Sequence, residues 1–136
     1  MATYIEGAIR GYLMGVTGVK NLIGNRLYFQ KAPQKATLPC VIYFAVSDPH
    51  GPLFMDSSGT KTKAGQRIFQ FTCISDQSLE SLNLQQQVMN ALRWYRGATQ
   101  GFTIEWIEIE NMRQRYDSVA NEYLNDVDAR VEYYEA

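Results

Sequence analysis

An apolar run from Cys40 to Val46 constrains the fold of this chain more than any other stretch of its sequence. The run reads Cys-Val-Ile-Tyr-Phe-Ala-Val and has no polar residue at alternate positions. This pattern predicts a strand that is covered on both faces of its sheet. Pro39 precedes the run, and proline suits the first position of a strand, where the ladder needs no N–H donor. A chain of 136 residues has few helices to cover two faces, so we expect another subunit to cover one of them.

Two further strands are predicted on either side of this run in the sequence. A short turn ending at Gly24 leads into a brief strand from Arg26 to Gln30. Residues Gln66 to Ser75 form a longer strand, in which aromatic and cysteine side chains alternate with glutamine and threonine. Antiparallel pairing of this strand with residues 40–48 produces a long hairpin.

Two helices are predicted from apolar residues that recur at helical spacing. The first covers residues 3–16, where Thr3 and Glu6 have the spacing of a capping box, and it ends at Gly15 and Gly18. Its apolar face consists of Ile5, Ala8, Ile9, Tyr12, Leu13 and Val16. The second helix runs from about Gln77 to Arg96, with Asp76 as its N-cap and Gly97 as its stop.

The C-terminal third of the chain is predicted to add two strands. Apolar and polar residues alternate from Phe102 to Glu110, and a change of phase at Trp106-Ile107 is typical of a β-bulge. A second alternating segment runs from about Glu122 to Tyr134. We therefore predict one α+β domain over residues 1–136, with a mainly antiparallel sheet, two helices packed on one face and a long hairpin with a flexible tip.

The tip of that hairpin, residues 49–65, contains the candidate assembly residues. Its Ser, Gly, Thr and Lys content cannot bury enough apolar surface to fix its shape, and loops of this length in compact domains are usually functional or disordered. Leu53, Phe54 and Met55 are the exception, and they either fold back on the core or wait for a partner. Asp56, Lys61 and Lys63 complete the candidate interface, and the two lysines can contact phosphates without reading sequence.

No pattern in the sequence predicts an enzyme, a metal site or a cofactor. No apolar run approaches the ~20 residues of a membrane span, and the N-terminus lacks the pattern of a secretory signal. Cys40 and Cys73 lie in apolar runs and are predicted to be buried thiols, and two cysteines with one histidine make no zinc site at these spacings. Residues 59–62 lack the glycine and Gly-Lys spacing of a phosphate loop. His50 stands among prolines and glycines without a catalytic neighbour.

The acidic residues of the C-terminal half are interpreted as solvated side chains on the polar phase of strands. They include Glu105, Glu108, Glu110, Asp126 and Asp128. Residues 1–75 carry a net charge of +5 and residues 76–136 a net charge of −6. Scattered charge of this kind can simply solvate a surface. The alternative hypothesis is that opposite ends of neighbouring subunits meet head to tail, an arrangement that generates rings when the rotation closes.

The stretch from Val19 to Ser47 resembles the tail-completion family of long-tailed bacteriophages, which comprises small tail-terminator and tail-to-head joining proteins. The residues that carry the resemblance are Val19-x-x-Leu22-Ile23-Gly24-Asn25-Arg26-Leu27-Tyr28, Ala32-Pro33-Gln34, Leu38-Pro39-Cys40-Val41-Ile42-Tyr43 and Val46-Ser47. The order of the helices and the Phe-Gln-Phe strand is also similar. Cys40 departs from the pattern, since an aromatic residue is expected after the proline, and little is similar beyond residue 110.

The resemblance implies a homo-oligomeric ring, typically of six subunits, that caps the tail tube and joins it to the head. Its implied partners are further copies of itself, the major tail tube protein, a head–tail connector or stopper protein and, without specificity, DNA in the lumen. The implied location is the head-proximal end of a virion tail, after assembly in the bacterial cytoplasm. Two alternatives stay open: another head–tail interface or minor tail protein such as a stopper-like ring, and a small ligand-binding or nucleic-acid-binding module.

Overall fold

The computed structural model describes residues 4–47 and 64–135 of the chain. Three helices and six strands follow one another in the order α1 (Ile5–Met14), α2 (Thr17–Ile23), β1 (Leu27–Phe29), β2 (Cys40–Ser47), β3 (Ala64–Ser75), α3 (Ser78–Leu92), β4 (Gly97–Thr99), β5 (Phe102–Asp117) and β6 (Glu122–Glu135). Apart from residues 64 and 65, which begin β3, the predicted flexible tip lies outside the described residues.

The six strands form one curled, half-barrel sheet in the order β1-β2-β3-β6-β5-β4. The predicted hairpin of β2 and β3 is confirmed, with Tyr43 opposite Phe71. The predicted fold class is wrong, because the fold is a mixed α/β arrangement. The segment after β1 brings the chain back to the level at which β1 began, so β2 enters beside β1 in parallel, with Leu27 opposite Val41.

The prediction of two helices on one face of the sheet is also wrong. Val16 has an extended conformation, with φ −88° and ψ 114°, so the first predicted helix ends early and α2 begins after it. Val19 and Ile23, one turn apart on α2, are both buried. The three helices are not clearly gathered on one face. Bulges in β2 and β5 bend these two strands, which would otherwise give the helices a flat surface to lie on.

The ends of the helices differ from the predicted caps. α1 begins after Tyr4 without a side-chain cap, and Glu6 forms an ion pair with Arg67. Thr3, the other member of the predicted capping box, lies outside the described residues. α3 has Gln77 at its N-cap position, and the Ser75 hydroxyl accepts a hydrogen bond from the Gln77 N–H at 3.0 Å. The helix ends at Leu92, because Arg93 has a non-helical ψ of 119° and Trp94 follows in a left-handed conformation with φ 61°.

Strand β5 is longer than predicted and carries two irregularities. The predicted bulge is confirmed one residue away from its expected position, between Ile104 and Trp106, and a second lies between Ile109 and Asn111. Beyond the second bulge β5 continues to Asp117 and stays paired with β6 throughout. β4, which the sequence pattern did not predict, pairs only with Phe102–Ile104 at the start of β5.

The three helices and the central strands contribute side chains to one hydrophobic core. Alternate residues of the central strands point into it, as the two-residue period of a strand requires. Members of this core include Val41 and Tyr43 of β2, Phe69, Phe71 and Cys73 of β3, Val127, Ala129 and Val131 of β6, Ile9 and Leu13 of α1, and Leu84, Val88 and Leu92 of α3. The alternation predicted for residues 122–134 is confirmed by the burial of the three β6 side chains.

Candidate assembly interface

The candidate residues from the hairpin tip lie outside the described part of the chain. They are Leu53, Phe54, Met55, Asp56, Lys61 and Lys63, and His50 lies in the same segment. The described part of the chain offers a different candidate interface on the sheet itself, at residues that the sequence patterns did not single out as a site.

The face of the sheet opposite the core, here called the charged face, changes in character from β2 to β5. Strand register arranges its side chains in rows that cross four strands. One row contains Ile42, Thr72, Asp126 and Arg113, and the next contains Phe44, Gln70, Asp128 and Asn111. Each row thus begins with an apolar side chain on β2 and ends in polar and charged groups on β6 and β5.

Asp126 is the centre of an ion-pair network on this face. Its side chain is only 1% exposed, although aspartate is almost never buried without a partner. Arg115 donates from Nε at 2.9 Å and from Nη2 at 3.0 Å to the two carboxylate oxygens. Arg113 Nε lies 3.3 Å from Oδ2, and the Thr72 hydroxyl donates to Oδ1 at 2.9 Å. The contact with Arg115 is therefore bidentate, a geometry that makes arginine–carboxylate pairs strong and specific.

Arg113 links this network to the next row. Its Nη2 donates to the Gln70 side-chain oxygen at 2.8 Å, and its Nη1 lies 3.2 Å from Asp128 Oδ2. Burial raises the pKa of Asp128, while Arg113 acts in the opposite direction and the neighbouring Asp126 carboxylate adds to the rise. The hydrogen bond to Asp126 raises the pKa of Arg115. The network therefore favours the charged form of the Arg115 guanidinium.

A second cluster further along β5 and β6 has an excess of acid. Arg130 binds Glu108 through one nitrogen and Glu110 through another at 3.1 Å, and its Nε lies 4.0 Å from Glu132. One guanidinium cannot neutralise three carboxylates. Because Glu105 is exposed nearby on β5 and forms no ion pair with any described residue, this part of the charged face keeps a net negative charge.

The β2 side of the charged face is apolar and incompletely covered. Ile42, Phe44 and Ile68 are half-buried and lie outside the hydrophobic core of the described residues. Only the start of the strand is fully covered: burial raises the pKa of the Cys40 thiol to about 11, with a smaller contribution from Glu122. The second face of the strand is thus only partly covered by this chain. That a second subunit covers the rest stays a prediction.

The two edges of the sheet are unequal. β1 forms one edge, where the Phe29 side chain is 45% exposed. At the other edge β4 covers only the first three residues of β5, and the Trp94 N–H donates to the Ile107 carbonyl at 2.9 Å. Among the described residues, no strand pairs with the far side of residues 108–117, here called the open length of β5. Such an edge presents backbone groups to which another chain can bind.

These contacts correct the interpretation of the acids as solvated. Asp126 is buried, Asp128 is half-buried, and Glu108 and Glu110 share Arg130. The sequence signal for these ion pairs was the pair Arg113 and Arg115. The two arginines lie on the same face of β5, level with Asp126 and Leu124 of β6. The missing information was that β5 continues beyond residue 110.

Residues 4–47 and 64–135 contain no group of three His, Cys, Asp or Glu side chains arranged to hold a metal ion. None of the three helices in that part of the chain is long and apolar enough to cross a membrane.

The fold is similar over its whole length to a solved chain from the virion of a native gene transfer agent particle. The TM-score is 0.67 at 15% sequence identity, and the match covers 98% of this chain and 99% of that one. A second solved chain matches with a TM-score of 0.56 at 12% identity, over 99% of this chain and 97% of its own length. At these identities the likeness shows a shared fold. No protein-family model and no curated protein matches the sequence.

Proposed function

We propose that this protein is a structural, non-enzymatic component of a phage or phage-like particle, and that it forms a ring that caps the tail tube and joins the tail to the head. The observation that carries the proposal is the full-length likeness of the fold to a chain from a virion. The residues between Val19 and Ser47 that resemble the tail-completion family support the same role. A place in a particle is known for the structural neighbour, and we propose the same place for this chain.

The surface geometry supports a protein that completes itself by assembly. The outer edge of residues 108–117 on β5 pairs with no strand in the described part of the chain. An apolar stripe of Ile42, Phe44 and Ile68 lies on the charged face at the other side of the sheet, on β2 and β3. Both features are typical of surfaces that bind another protein. We propose that the partners are other copies of this chain, in a ring of about six by the family resemblance, together with the tube protein and a connector or stopper protein.

The hairpin tip is proposed to contact the adjoining ring or the DNA in the lumen. Leu53, Phe54 and Met55 supply apolar groups for a protein partner, whereas Lys61 and Lys63 supply charges that contact phosphates without reading sequence. Replacing both lysines with glutamate should lower the yield of infectious or transfer-competent particles. Full recovery of particles would contradict this placement while leaving the ring proposal intact.

The deciding experiment is electron microscopy of particles from a phage or prophage in which this gene carries an early stop codon. Over-long tubes would support tail termination, and normal-length tails separated from filled heads would support joining. A complementing copy of the gene, supplied in trans, is the matched control and should restore joined particles. Intact functional particles without the protein would overturn the proposal and favour a ligand-binding or nucleic-acid-binding module.

A further inference from the structure

We infer that a second copy of this chain docks head to tail, with its β1 edge lying against the open length of β5. The inference rests on the proposed ring and names the surfaces that close it. It commits to one occupant for residues 108–117, namely the segment around Leu27–Phe29 of the next copy. Three independent features of the described residues favour that occupant: the register of the sheet, the apolar groups at its two edges and its charge distribution.

Strand register places β1 and the open length of β5 at the same level of the sheet. The row that begins at Leu27 passes through Val41, Cys73 and Asn125 and ends at Gln114. The row that begins at Phe29 ends at Met112 in the same way, through Tyr43, Phe71 and Val127. If a second copy continues these rows with no shift along the strand direction, its β1 therefore lies beside residues 112–114 of the first copy.

Apolar groups are left at both ends of one core row. Phe29 packs on Tyr43 with ring centroids 5.4 Å apart, yet 45% of its surface stays exposed at the β1 edge. Met112, at the β5 end of the row, is half-buried. Docking of the two edges would join these side chains and extend the core row from one copy into the next. An unbranched methionine adapts well to such a contact.

The charges of the two edges are complementary. Residues 7–47, which include β1, contain five Lys and Arg and no Asp or Glu. Residues 105–135, which form β5 and β6, contain nine acidic residues and three arginines. Lys31 and Lys35, just beyond β1, are exposed, and the Arg130 cluster keeps its acid excess on the strands at the other edge. Opposite potentials on the two edges favour head-to-tail contact and disfavour contact between like edges.

The charges on β5 also permit a different role, because charged side chains are a common device that keeps an open edge from pairing. In that case residues 108–117 stay solvated and the chain uses another surface for assembly. Crosslinking separates the two possibilities. Phe29 and Met112 lie four strand spacings apart within one copy, roughly 19 Å at about 4.8 Å per strand. A disulfide needs Cα atoms within about 7 Å, so it can form only between copies.

The experiment uses the full chain with Phe29→Cys and Met112→Cys, oxidised or treated with a short bis-maleimide. It is done on the purified chain at high concentration and in lysates of particle-producing cells, with analysis on non-reducing gels. Cys40 and Cys73 do not compete, because both are buried and burial raises the pKa of each thiol. The matched control is the double variant Phe29→Cys with Leu79→Cys, since Leu79 on α3 is 77% exposed and far from β5 in sequence.

The expected result is a ladder of covalent multimers that ends at the ring size, with the control giving no ladder beyond dimers. Only monomers in both preparations, or equal ladders from the control, would overturn the inference. Failure here is distinguishable from failure of the proposed function. A missing ladder together with defective tails in the stop-codon strain rejects this interface alone, whereas a ladder with intact particles rejects the particle role alone.

Discussion

At the scale of single side chains, Asp126 holds the charged face together, because its carboxylate accepts hydrogen bonds from two neighbouring strands. Thr72 approaches from β3, and Arg113 and Arg115 approach from β5. The two arginines are nearly half-exposed while the carboxylate is buried. The arginines therefore keep much of their hydration, and Asp126 depends on its three partners for the whole of its solvation.

Asp126→Asn should destabilise the chain by about 1–3 kcal/mol, the usual cost of losing hydrogen bonds to a charged group. The amide keeps the size of the side chain but removes the negative charge to which Arg115 donates hydrogen bonds, from Nε at 2.9 Å and from Nη2 at 3.0 Å. Urea unfolding followed by circular dichroism measures the difference. Glu105→Gln makes the same chemical change at an exposed site and should stay within about 0.5 kcal/mol. Equal unfolding midpoints for the two variants would show that the network adds no stability.

At the scale of elements, α3 is attached to the sheet by buried polar side chains as well as by apolar ones. The Ser81 hydroxyl donates to the Cys73 carbonyl at 2.9 Å. The Gln85 amide donates to the Asp126 carbonyl at 2.9 Å and to the Arg113 carbonyl at 3.1 Å, so it contacts β6 and β5 together. Because Gln85 is 1% exposed, those carbonyls have no ready replacement donor from bulk water.

Gln85→Ala should therefore cost about 1–3 kcal/mol of unfolding free energy, because two buried acceptors lose their donor. Gln86→Ala is the matched control, since the neighbouring side chain has the same chemistry but is exposed. We expect the control to change stability by less than about 0.5 kcal/mol. Thermal and urea unfolding of both variants provide the test. A cost for Gln86→Ala as large as that for Gln85→Ala would show that the two buried hydrogen bonds of Gln85 add no stability of their own.

The elements that sequence periodicity predicted are those whose buried face has one unbroken period. Val127, Ala129 and Val131 alternate cleanly, and β6 lies where expected. α2 was missed because seven residues, one of them Gly18, have too few turns to show a helical period. The distal half of β5 was missed because Arg113 and Arg115 look like loop residues until Asp126, eleven residues or more away, is known to face them.

The candidate site was less predictable than the fold for a related reason. The apolar run Cys40–Val46 indicated a strand whose second face this chain covers only in part, and Ile42 and Phe44 on that face are half-buried. Edges and rows, however, depend on strand order, and the place of β6 beside β3 comes from pairings between distant residues, such as Phe71 with Val127. No local spacing in the sequence contains that information.

At the scale of the whole molecule, the sheet separates charge between its two edges. The basic segment of residues 7–47 includes the β1 edge, and the acidic residues of 105–135 lie on β5 and β6 near the other. Copies that meet head to tail bring unlike edges together, whereas copies that meet through the same edge bring like charges together. The charge distribution therefore favours a directional contact, which is the kind that closes a ring.

Self-association should consequently weaken as salt is added, because screening shortens the range of the attraction from about 10 Å at 0.1 M to about 3 Å at 1 M ionic strength. We expect the dissociation constant from sedimentation to rise roughly tenfold between low and high salt. Lys31→Gln with Lys35→Gln should reproduce much of that loss at low salt, since both lysines are exposed beside β1. Asn83→Glu with Gln86→Glu, which are exposed on α3, change the net charge by the same amount and should have less effect. Equal losses from the two pairs would mean that only total charge matters, and association that strengthens with salt would assign the contact to apolar groups such as Phe29 and Met112.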